Sequence, residues 1–108
     1  MSKIILLDSI RSMQNVGAIF RNCDWAWFEK IILTWHTPFP PRNDISKTAL
    51  WSQDFIDWEY FQDPISIVNN LKKTWYKIYS VELTSDAIDY KELMKENNNK
   101  VCLIILHT

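Results

Sequence analysis

The sequence predicts an α/β fold, a parallel sheet with flanking helices, and three observations carry the prediction. Short apolar runs alternate with stretches whose apolar residues recur at helical spacing, in the order strand, helix, strand, helix, strand. The first run, Ile4-Ile5-Leu6-Leu7, is continuous rather than alternating, the pattern of a strand covered on both faces. The chain has 108 residues, which makes one domain with a modest core and favours helices as right-handed crossovers between parallel strands.

Taken in order, residues 3–8 form the first strand, and the following loop leads to a helix opened by Asn15. Val16, Phe20, Cys23 and Trp27 fall at i, i+4, i+7 and i+11, one stripe that packs on the sheet. Gly17 and Arg21 lie off that stripe, so the glycine has no core-packing explanation and the arginine is free to face a groove. Residues 30–34 are the second strand. Pro38, Pro40 and Pro41 then make residues 37–42 a stiff loop at the strand's carboxyl end, the edge where open α/β sheets bind ligands. A short helix over 47–50 follows, capped by Ser46, and the aromatic, acidic residues 54–61 read as an irregular connector. Asp63-Pro64 is an acidic cap with proline at the first helical position, and Ile65, Val68, Leu71 and Lys72 continue at helical spacing. Residues 76–83 alternate and form the third main strand. A loop over 85–93 and the Asn97-Asn98-Asn99 turn lead to a fourth apolar strand over 100–106.

The net charge of −1 gives no whole-molecule argument for nucleic acid. Its distribution says more: residues 1–50 carry +2 and residues 51–108 carry −3, so phosphate contacts are expected from the amino-terminal half. No apolar run approaches the roughly 18 residues of a membrane span, and no signal peptide is visible, which leads to the expectation of a cytoplasmic protein. Cys23 and Cys102 lack C-x-x-C spacing and read as small buried hydrophobes. His36 and His107 have no partner at metal spacing, so no metal site is expected. Ser9 and Ser12 lack the His/Asp arrangement of a nucleophile.

The stretch Asn15-Val16-Gly17-Ala18-Ile19-Phe20-Arg21 sits between the first two strands, followed by Ile31-Ile32-Leu33-Thr34, His36-Thr37-Pro38-Phe39-Pro40-Pro41-Arg42 and Ile45-Ser46-Lys47-Thr48-Ala49-Leu50. That succession resembles the amino-terminal part of the catalytic domain of the SpoU (TrmH-type) RNA 2′-O-ribose methyltransferases of the SPOUT superfamily. The resemblance implies a partial SPOUT domain over residues 1–108, an α/β knot fold represented without its carboxyl-terminal trefoil knot. The family pattern continues with a Gly-Asn-Glu segment after the last strand and a later Ser-Leu-Asn stretch, where S-adenosylmethionine is held. Here Ile104-Ile105-Leu106 is followed by His107-Thr108, so the first motif is present and the other two are absent from these residues.

Methyl transfer to a ribose 2′-hydroxyl needs a sulfonium donor, an acceptor held in line with its methyl, and a group that assists loss of the hydroxyl proton. By resemblance, Asn15 orients the catalytic loop and Arg21 sits at the acceptor. A guanidinium stays protonated, so clamping a phosphate and stabilising a developing alkoxide are its easier roles. Arg11, Arg42 and Lys47 are candidates for RNA phosphate contacts, each equally an ordinary exposed base, and Gly17 marks a place where RNA approaches the backbone. The expected cofactor is S-adenosylmethionine, with no cofactor-binding residue in this chain, and the expected partner is tRNA or rRNA. The family's homodimer interface lies largely in the knot, so a stable dimer of this chain does not follow. The expected product is an incomplete, inactive fragment of the enzyme; the alternative is a non-catalytic RNA-contacting or dimer-forming remnant.

One glycine and six tryptophans is the oddest feature of the composition, where average usage gives about seven or eight glycines. Trp75 occupies the place just past a helix where a left-handed glycine normally sits. Trp35, Trp51, Trp27 and, less clearly, Trp25 also stand where the chain must turn and where the SpoU-like pattern ordinarily has glycine, whereas Trp58 looks like a genuine tryptophan. This is the pattern expected if UGA encodes glycine in the source and has been read as tryptophan.

Overall fold

The computed structural model describes residues 2–25, 28–50, 52–83 and 100–107. The expected loop over 85–93, the turn at 97–99, Trp27 and Trp51 lie outside the described residues. The elements are β1 (Ser2–Asp8), α1 (Met13–Trp25), β2 (Lys30–Thr34), α2 (Asn43–Ala49), a 3-10 turn at Ser52–Asp54, β3 (Asp57–Phe61), α3 (Pro64–Lys73), β4 (Lys77–Leu83) and β5 (Lys100–His107). All strand pairs are parallel, and the sheet order is β3-β2-β1-β5-β4. The chain thus builds outward from β1 on one side, then crosses to the other.

The period of two along each strand divides the core between the two faces of the sheet. Ile5, Leu7, Ile31, Leu33, Leu103 and Ile105 face α1 and α2, where Val16, Phe20, Cys23, Ile45 and Ala49 close over them. Ile4, Leu6, Ile32 and Cys102 face the opposite side and meet Ile67, Val68 and Leu71 of α3. The α/β architecture follows directly from that two-sided burial.

Three local expectations change. The connector over 54–61 contains β3, an edge strand: Trp58 and Tyr60 turn toward the core while Asp57 and Glu59 stay exposed. The Lys30–Glu59 ion pair ties it to β2. The strand over 76–83 is therefore the fourth, not the third. The short helix begins at Asn43, with Arg42 rather than Ser46 at its cap position, and it ends at Leu50 in the left-handed conformation with the Leu50 N–H donating to Ser46 O. The first helix likewise starts before Asn15: the Asn15 N–H donates to Ser12 Oγ, so Ser12 is the capping side chain.

Asp63 caps α3 as its sequence announces, accepting from the Ile65 N–H at 3.0 Å with Pro64 next. Cys23 and Cys102 are free and buried, and burial raises both thiol pKa values, that of Cys102 to about 12. Among the described residues no helix is long and apolar enough to cross a membrane.

Candidate functional site

The carboxyl ends of the strands form the edge at which a parallel sheet offers its loops to a ligand. Asp8 stands at its centre, in register with Thr34 on one side and Leu106 on the other. Two buried threonines lock the loops that leave this edge. Thr34 Oγ1 donates to Leu7 O at 3.1 Å and lies 3.3 Å from Asp8 Oδ1; Thr37 Oγ1 donates to Leu7 O at 3.0 Å and accepts from the Ile10 N–H at 3.1 Å. The β1–α1 loop and the start of the proline-rich loop are therefore one fastened unit. Pro40-Pro41 is a cis peptide in that second loop.

The fastened loop delivers α1 against α2. The backbones meet at Gly17: a Cβ there would lie 1.9 Å from Thr48 Oγ1, 2.4 Å from Ile45 O and 3.0 Å from Ala49 N. Thr48 Oγ1 donates across the crossing to Gln14 O at 2.9 Å. Gly17 is consequently buried and explained by helix packing, which corrects the expectation that it lies off the packed face. Its backbone is covered by α2.

The other expected residues are on the surface. Asn15 and Arg21 are exposed on α1, Arg11 is exposed in the loop before it, and Arg42 is exposed at the start of α2. Lys47 is exposed on α2, 3.9 Å from Asp44, and lines an open groove with Asn43, Ser46 and Leu50. The Thr48–Gln14 hydrogen bond brings the turn carrying Asn15 beside the turn carrying Lys47. Among the described residues no group of His, Cys, Asp or Glu is arranged to hold a metal.

Asp8, Thr34 and Thr37 are the positions that sequence reasoning missed. The available signal was Asp8 itself, an acid ending the central apolar strand. Asp8 also lines a groove of about 360 Å³ between α3 and the sheet, with Leu6, Val68, Lys72, Ile104 and Leu106. This lining is mainly apolar and open.

Among curated proteins no sequence match is found. Solved structures are similar in fold. An rRNA methyltransferase from Sinorhizobium meliloti superposes with a TM-score of 0.74 at 18% identity, covering 97% of this chain and 39% of that one. The A. aeolicus TrmH/SpoU tRNA modifying enzyme gives 0.73 at 16% identity, covering 99% and 52%. The SpoU methyltransferase AviRb from Streptomyces viridochromogenes, solved in complex with AdoMet, gives 0.68 at 16%, covering 96% and 42%. The chain spans about two fifths to one half of the length of these three proteins. The family model of the SpoU rRNA Methylase family matches residues 2–105, nearly the whole chain, and with the all-parallel α/β sheet and its motif-bearing first helix in place, the chain belongs to that family.

Proposed function

We propose that this chain is the amino-terminal portion of an S-adenosylmethionine-dependent RNA methyltransferase acting on a ribose 2′-hydroxyl of tRNA or rRNA. The observation that carries the reading is the exposure of Asn15 and Arg21, the two motif positions, on the helix that leaves the sheet's ligand edge. In the family, S-adenosylmethionine supplies an electrophilic methyl group. We assign its pocket to polypeptide beyond the described residues.

The residues of this chain serve the acceptor. Arg21 presents a permanent positive charge, suited to holding an RNA phosphate and to stabilising negative charge that develops on the 2′-oxygen. Asn15, in the first turn of α1, orients the loop before it. Arg11, Arg42 and Lys47 supply phosphate contacts that set RNA position without reading sequence.

The test is transfer of a labelled methyl group to total tRNA and rRNA by the full gene product, followed by alkaline hydrolysis, which a 2′-O-methyl group blocks. Arg21→Ala is expected to lower kcat/KM by about 100-fold or more, the scale of losing one transition-state donor. Base methylation, with the label released as a hydrolysable mononucleotide, would refute the ribose reading. RNA binding without any methyl transfer would identify the non-catalytic alternative instead.

A further inference from the structure

Four non-glycine residues have positive φ among the described residues, and two of them are tryptophans: Trp35 at 58° and Trp75 at 70°. Tryptophan makes up only six of the 108 residues. A bulky side chain is the wrong occupant of this region, because its Cβ crowds the neighbouring carbonyl, whereas glycine adopts it freely.

Position 75 is a glycine site by hydrogen bonding as well as by φ. The Trp75 N–H donates to Lys72 O at 3.1 Å and the Tyr76 N–H donates to Leu71 O at 3.0 Å. These two bonds define the Schellman closure of α3, in which the residue at position 75 must be left-handed and is usually glycine. Tyr76 and Leu71 pack in the same apolar cluster, the contact that accompanies this motif. The Trp75 side chain contributes nothing to offset its cost, being 87% exposed.

Position 35 is held in the same way. Its N–H donates to Phe61 O at 3.3 Å and its carbonyl accepts from Tyr60 Oη at 2.6 Å, so both backbone groups are fixed in the turn that ends β2. The indole is 48% exposed and stands T-shaped to the His36 ring with the centroids 4.8 Å apart. Trp58 is the internal contrast: it lies in extended strand β3, half-buried, packed on the core and against Phe39. Position 58 uses a tryptophan; positions 35 and 75 use only a backbone.

We infer that the polypeptide made in the source cell carries glycine at positions 35 and 75, through decoding of UGA as glycine, while position 58 is tryptophan. UGA differs from the glycine codon GGA in its first base alone, so the exchange needs one substitution per site. The scarcity of glycine in the written sequence then has a cause. The inference rests on backbone geometry and composition and is independent of the proposed activity.

The test is peptide mass spectrometry on the protein isolated from cells carrying the gene, read beside the codons. Trypsin yields residues 31–42 and 48–72, and cleavage after glutamate yields residues 60–82. The expected result is glycine mass at 35 and 75 from UGA codons, with tryptophan mass at 58 from UGG. Tryptophan mass at either 35 or 75 overturns the inference, whichever codon is found.

Discussion

Thr48 Oγ1 occupies the space that a side chain on Gly17 would need. A Cβ would come within 1.9 Å of that oxygen and 2.4 Å of Ile45 O, so the crossing of α1 and α2 depends on the absence of one methyl group. Gly17→Ala is expected to destabilise the protein by about 1–2 kcal/mol, because overpacking costs about 1–3 kcal/mol and the better helix propensity of alanine returns at most about 1. Adding Thr48→Ala removes one clash but leaves the Ile45 carbonyl, which is backbone and cannot swing away. The double variant is therefore expected to stay below the wild type in thermal denaturation.

Trp75→Gly is expected to stabilise the chain by about 1 kcal/mol, raising Tm by about 4–8 °C, because it relieves a left-handed tryptophan while giving up almost no burial. Trp75→Ala should gain much less, since alanine keeps the Cβ that causes the strain. Trp58→Gly should act in the opposite direction, removing a half-buried ring from the core and placing glycine within a strand. Denaturant midpoints for the three variants separate strain relief from loss of packing.

How far the sequence revealed this architecture follows from where its signals were local. The apolar runs of β1, β2 and β5 announced buried parallel strands, and Asp63-Pro64 announced α3, because each pattern is complete within a few residues. β3 was hidden: Asp57-Trp58-Glu59-Tyr60 alternates only over a short edge strand, and the acids that face solvent outweighed the two inward rings. The role of Gly17 was hidden for a different reason. Helical spacing shows which residues face the sheet, but the second helix that covers Gly17 comes from residues 43–49, far along the chain. For the candidate site, the motif offers Asn15 and Arg21 as candidates, while Thr34 and Thr37 emerged only from the bonds they make to β1.

Neither cysteine should behave as a reactive thiol. Both are buried, and desolvation raises the pKa of each above the ordinary thiol value of 9.0, that of Cys102 to about 12. A thiol-specific reagent is expected to find no rapidly reacting group in the native chain and two after denaturation. The same shifts fix the sign of a stability effect. The unfolded thiols ionise first, so their contribution is fully present below about pH 9 and is lost progressively as pH rises toward the folded values. Cys102→Ala should lower stability at neutral pH yet flatten its decline between about pH 9 and 11; an unchanged slope would show that the Cys102 thiol is not the group responsible.

Thr37 links the two loops of the ligand edge through one hydroxyl that both donates to Leu7 O and accepts from the Ile10 N–H. Thr37→Val preserves the shape but strands a buried N–H, a loss of about 1–3 kcal/mol. Thr34→Val removes only a donor: Leu7 O still accepts from Thr37, so this variant should be the milder of the two. The difference should also be local, because Ile10 begins the loop that leads to Asn15. Hydrogen exchange is expected to show faster exchange at the Ile10 amide and in the first turn of α1 for Thr37→Val, with Thr34→Val close to wild type there. Equal exchange in the two variants would mean that Ile10 is held by packing rather than by the Thr37 hydroxyl.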